Sequence, residues 1–180
     1  MKLLPTLEQL GERIAALEAE RAVRWAITRY MALCDVPCNV GSGAQLAMLF
    51  APNAIWEGLG PLYAAKFGRL QGHEQILAML TRYLPPTEHF RVNLHFLTSE
   101  AIEVRGTHAT GRWIMLQASD YIDAGSGAEL IAARLTVDFE AAADGGDWLM
   151  THFRTERIFN TPWHVTAAAS YTPQDKISHE

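Results

Sequence analysis

The sequence predicts an α+β fold, a cone in which N-terminal helices pack on a strongly curved, mostly antiparallel sheet. Helical spacing fills the first half of the chain. Four long runs of strand character fill the second, separated by the hairpin-type signals Arg105-Gly106, Ala124-Gly125-Ser126-Gly127 and Asp144-Gly145-Gly146-Asp147. In the third run Ile131, Ala133, Leu135, Val137 and Phe139 alternate with Ala132, Arg134, Thr136, Asp138 and Glu140, the period of a strand with one buried face. Helices first and a meander after put a helical layer on one sheet face. The mouth of such a cone is a natural apolar pocket.

The elements follow in order. Leu3, Leu7, Leu10, Ile14 and Leu17 form an a/d stripe, so residues 1–20 predict a helix lying on its own domain or on a partner subunit. Helical spacing resumes with Ala22, Val23, Ala26, Ile27, Tyr30 and Leu33, and Pro37 with NVGSG ends it. AQLAMLF reads as a short helix closed by Pro52 and Asn53. AIWEG and KFGRLQG read as strands with GLGPLY as their turn. HEQILAMLTRYL is a helix stopped by Pro85-Pro86, which lack amide donors. Strands are expected at roughly 90–104, 107–122, 129–141 and 147–159. The expected division is one domain over 1–165 and a tail over 166–180.

Composition excludes several function classes. The 180 residues are 49% hydrophobic and 19% charged, and 15 basic against 20 acidic residues give a net charge of −5. A weakly acidic chain is poorly suited to phosphate backbones, so no nucleic-acid partner is expected. The start MKLLPTLEQLGER lacks a signal peptide's apolar run, and no stretch approaches the roughly 20 apolar residues that span a bilayer. A cytoplasmic protein with reduced Cys34 and Cys38, off the membrane, is the expectation. No metal is expected: the cysteines have only Asp35 and Asn39 nearby, and His73-Glu74 lacks the second His of HExxH. GxGxxG, GxxxxGK and GxSxG are absent, which leaves nucleotide, flavin and serine-hydrolase readings unsupported.

Four residues stand out as chemistry-bearing. Tyr30 and Asp35 lie near the end of a helix, where the macrodipole disfavours an anion, so Asp35 calls for a polar partner or solvent. His95 lies mid-strand; it titrates near neutral pH and can act as a general base if a carboxylate orients it. Arg157 lies near the end of the last strand and can stabilise developing negative charge inside a pocket. Arg154, three residues earlier, should point to the other face.

Four segments carry a family resemblance: ITRYMALCD, AIWEGLGPLYAAKFGRLQGHEQI, NLHFLTSEAIEVRGTHATGRW and GDWLMTHFRTERIFN. Together they resemble the SnoaL-like branch of the nuclear-transport-factor-2-like (cystatin-like cone) superfamily, especially its bile-acid 7α-dehydratase and scytalone dehydratase type lyases. The likeness runs from about Leu7 to Pro162. Tyr30, Asp35, His95 and Arg157 match the family's catalytic positions. The resemblance implies a cofactor-independent dehydratase-like lyase, or an isomerase, acting on a hydrophobic, cyclic small molecule. His95, paired with Asp35, would remove a proton from carbon, and Tyr30 and Arg157 would hold the carbonyl or departing oxygen. It implies no cofactor and a homo-oligomer, a trimer before a dimer. Two features depart from the pattern: the stretch between Asp35 and Phe50 is longer, and Ala141, Ala142 and Ala143 stand where dehydrohalogenases carry an arginine. The alternative is a non-catalytic module, as in the small subunits of ring-hydroxylating dioxygenases. An epoxide hydrolase would need an Asp-Arg-Asp set, and Arg134 and Asp138 form none with Asp35.

Overall fold

The computed structural model describes residues 4–37, 43–123, 127–143 and 147–163. Cys38, turn residues 124–126 and 144–146, and the 166–180 tail lie outside the described residues.

One helix, α1 (Leu7–Cys34), unites the leucine stripe with the second helical segment. Thr6 and Gln9 close its start as a capping box: the Gln9 N–H donates to Thr6 Oγ1 at 3.2 Å and the Thr6 N–H donates to Gln9 Oε1 at 3.0 Å. Only its second half is buried, through Val23, Ala26, Ile27, Tyr30, Met31, Leu33 and Cys34. Leu7, Leu10, Ile14 and Leu17 are 88%, 39%, 56% and 66% exposed, so the stripe does not lie on its own domain.

A short helix α2 (Gly43–Ala47) leads into β1 (Phe50–Leu59), helix α3 (Gly60–Lys66), β2 (Arg69–Gln71) and helix α4 (Gly72–Leu80). Two expectations are corrected here. Pro52 does not end a helix; it sits inside β1, in the stretch where the register against the neighbouring strand shifts between Phe50 and Ile55. An irregular stretch tolerates the missing donor. GLGPLY is not a turn: Gly58 and Leu59 end β1 and Gly60 opens α3, with Pro61 in the first helical positions, where its missing N–H costs nothing. Gly58 makes this possible: a Cβ there would stand 2.4 Å from the Tyr63 carbonyl oxygen as α3 folds back over β1. Helix α4 ends before the prolines. Arg82 and Tyr83 turn tightly onto the carbonyls of Met79 and Leu80, and the Thr81 hydroxyl donates to Leu77 O at 2.8 Å.

The meander follows as β3 (Phe90–Arg105), β4 (His108–Tyr121), β5 (Ala128–Ala141) and β6 (Trp148–Trp163). The six strands form one sheet in the order β2-β1-β6-β5-β4-β3, antiparallel except for β1 beside β6. Register shifts at Phe90/Val92, Thr98/Ala101, Ala132/Ala133 and Asp138/Phe139 break the ladders, and such bulges increase bend and twist. The sheet curls, and α1, α3 and α4 pack against it. Ile131, Ala133, Leu135, Val137 and Phe139 of β5 are all buried. Each large aliphatic or aromatic side chain so buried stabilises the fold by roughly 1.5–3 kcal/mol. Among the described residues no helix is long and apolar enough to cross a membrane.

Candidate active site

Asp35 is positioned by the way α1 ends. Its N–H still donates to Met31 O at 2.9 Å, while its own backbone is already extended. Val36 then exchanges two backbone hydrogen bonds of 2.8 Å with Asn93, so the chain leaves the helix directly onto β3. This sets the carboxylate against His95. Asp35 Oδ1 accepts both the His95 backbone N–H at 3.0 Å and ring Nδ1 at 2.8 Å. These two donors supply what the helix end withholds from an anion. A carboxylate only accepts, so Nδ1 carries the proton and Nε2 is the basic nitrogen of the neutral ring. The His95 side chain is 10% exposed and that of Asp35 27%, which makes the imidazole the deeper member of the pair.

His95 lines a cavity of about 130 Å³ between the helices and the curled sheet. Tyr30, Trp56, Phe67, Leu84 and Phe153 form much of its apolar wall. The Tyr30 hydroxyl accepts from Trp56 Nε1 at 3.1 Å, and its ring packs on Phe50 and Phe153. Burial, then the neighbouring Cys34, pushes the Tyr30 phenol well above its ordinary range, so it stays protonated. Cys34 is itself a buried thiol outside any disulfide.

Arg157 stands apart from Asp35 and His95. It does not line the cavity; its guanidinium lies 5.5 Å from the ring centroid of Tyr63, which does. Its Nε is buried with no hydrogen-bond partner among the described residues. Arg154 points to the other sheet face, where it pairs with Asp138, while Arg134 pairs with Glu156 at 3.1 Å.

Sequence reasoning missed several cavity groups. Asn93, two residues before His95, shares its sheet face, and Gln117 is the register partner of His95. Gln117 Nε2 donates to Asn93 Oδ1 at 2.8 Å and to Ser119 Oγ at 2.9 Å, and the Ser119 hydroxyl donates to Asn93 Oδ1 at 2.8 Å. This satisfied network holds the polar floor beside the imidazole. The period-two spacing from His95 was the available signal for Asn93. Tyr63, Tyr121 and Lys66 were also missed. Burial first, then Glu129, pushes the Tyr121 phenol up to about 12, and its O–H donates to Glu129 Oε2 at 3.1 Å. Among the described residues no three His, Cys, Asp or Glu side chains gather as a metal-binding group. The arrangement offers an oriented imidazole and an apolar cavity sized for about one ring, with amide and phenol groups in its lining.

Comparison with known proteins agrees with this architecture. One similar structure is the hexachlorocyclohexane dehydrochlorinase LinA-type3 of Novosphingobium barchaimii LL02, with TM-score 0.68 and 20% identity over 89% of this chain and 99% of that one. A protein of Novosphingobium aromaticivorans DSM 12444, named as a candidate scytalone dehydratase, has TM-score 0.68 and 18% identity over 85% and 93%. An NTF2-like protein with a cystatin-like fold, also from Novosphingobium aromaticivorans, has TM-score 0.63 and 21% identity over 87% and 92%. At these identities the likeness shows the fold. The comparison with curated proteins returns no match. A family profile does match: that of the SnoaL-like domain, over residues 15–154, most of the helix-and-sheet body that carries Asp35 and His95. The chain therefore belongs to the SnoaL-like domain family.

Proposed function

We propose that the protein is a cofactor-independent lyase, dehydratase-like, or an isomerase, acting on a hydrophobic cyclic small molecule. The observation that carries this reading is the double grip of Asp35 Oδ1 on His95, which fixes the ring and leaves Nε2 as a base beside an apolar cavity. His95 takes a proton from a carbon next to a carbonyl or on a ring, and Asp35 stabilises the imidazolium. Tyr30 and Arg157 are the proposed holders of the carbonyl or departing oxygen, with Arg157 acting from beside Tyr63. The open cavity weighs against a purely structural subunit. Dehydrochlorinase and dehydratase names among the structural neighbours are consistent with carbon-acid chemistry on this fold.

Deuterium exchange tests the proposal even though the natural substrate is unidentified. Small cyclic ketones incubated with the protein in D₂O should lose their acidic C–H signals by proton NMR faster than in buffer. A panel of ring ketones that neither exchange nor react would overturn it.

The exposed stripe Leu7, Leu10, Ile14 and Leu17 supports a homo-oligomer, for which a trimer is favoured and a dimer is the alternative. Sedimentation should give a mass above that of one 20.0 kDa chain. The double substitution Leu10→Glu and Leu17→Glu should lower it; a wild-type monomer at micromolar concentration sinks the idea.

A further inference from the structure

We infer that the cavity takes ring compounds bearing an anionic group, held by Lys66 with Arg157 beside it; this rests on the reading of the cavity as a site for cyclic molecules. Lys66 is the last residue of α3 and lies at the cavity rim, exposed but part of the lining. Its ammonium is 5.1 Å from the Phe67 ring centroid and 5.5 Å from that of Tyr83, two rings that also line the cavity. Among the described residues neither the Lys66 nor the Arg157 side chain has an ion pair or a hydrogen bond; each lies against aromatic rings.

The two cations act on each other. Although Lys66 is exposed as a whole residue, partial desolvation of its ammonium near Phe67 and Tyr83, then Arg157, lowers its pKa, and Glu129 opposes them more weakly. Glu129 is otherwise engaged: Oε2 accepts from Tyr121 at 3.1 Å and Oε1 from Asn160 Nδ2 at 3.2 Å. The charge of Lys66 is also felt at His89, whose pKa falls through burial first and Lys66 second. Among the described residues, the Lys66 and Arg157 cations at this end of the cavity are opposed by the one carboxylate of Glu129. A neutral ring leaves that excess in place. A ring carboxylate removes it and accepts charge-assisted hydrogen bonds from a lysine whose flexible stem can follow it. The apolar walls hold the ring, and the cavity of about 130 Å³ suits one ring, since an engineered apolar cavity of about 150 Å³ accepts benzene.

Calorimetric titration with benzoate and with its neutral counterpart benzamide tests the inference. Benzoate should bind the wild-type protein about 10-fold or more tightly at low salt, where surface electrostatics are least screened. Lys66→Met should erase that preference and Lys66→Arg should keep it. Because Lys66 is exposed, either variant should fold normally. Equal affinities in the wild type, a preference that survives Lys66→Met, or no binding of either compound at millimolar concentration overturns the inference. The His95 ring resonances separate this from the wider reading. If benzamide shifts them and benzoate has no advantage, the ring site stands and its anion preference falls.

Discussion

Replacing His95 by Gln is expected to lower turnover of the proposed ring substrate by about 10²- to 10⁴-fold, the usual contribution of one general acid–base group. The expected loss is in kcat, because the amide fills similar space in the cavity wall but has no basic nitrogen to take a proton. Asp35→Asn should act in the same direction for a different reason. Its side-chain oxygen can still accept the His95 backbone N–H, so the chain path from α1 to β3 survives. The charge that stabilises an imidazolium is gone, and a neutral amide no longer dictates which ring nitrogen is protonated. KM should change little in either variant, and thermal melting should stay close to wild type. Near-wild-type kcat in His95→Gln would remove this residue from the mechanism.

Trp113→Ala is expected to destabilise the fold by about 3–5 kcal/mol, the range for truncating a buried tryptophan. Trp113 is almost wholly buried, its Nε1 donates to Glu100 Oε2 at 3.1 Å, and its ring meets Phe139 edge-on at 6.5 Å. For a domain of this size each kcal/mol shifts Tm by about 2–4 °C, so the drop should be about 6–20 °C. The indole lies back over Gly111: a Cβ there would stand 1.9 Å from Trp113 Cη2. Gly111→Ala should therefore also destabilise, by about 1–3 kcal/mol through overpacking. In the Trp113→Leu background that penalty should shrink, a coupling that a double-mutant cycle by chemical denaturation reads directly. Additive effects would mean that the ring has room to move aside.

The four long strands were legible because Gly-containing turns and period-two burial are local signals, and β5 shows both most clearly. The segment from Phe50 to Leu80 was harder. Pro52 and the Gly60-Pro61 pair look like punctuation in isolation. What makes one of them part of a strand and the other a helix start is the parallel neighbour β6 and the close approach permitted at Gly58, both long-range facts. The same divide runs through the site. Asp35 and His95 could be named from residue type, place in their elements and likeness to a family. Gln117 faces the cavity beside His95 only through the β3–β4 register, and Lys66 reaches the rim only because Gly60–Lys66 folds as α3. Counting from Arg154 puts Arg157 on the inner face. The register shift at Ala132/Ala133 and the approach of its guanidinium to the Tyr63 ring leave no mark in the sequence.

The grip of one carboxylate oxygen on both the backbone and the ring of His95 has a stereochemical consequence. With Nδ1 tied down, every proton that enters or leaves the imidazole crosses through Nε2. When that nitrogen both strips the carbon and returns the proton to the departing oxygen, the two bonds broken lie on one side of the substrate. Elimination is then syn, so a substrate should react only when its acidic C–H and its leaving group lie on the same face of the ring.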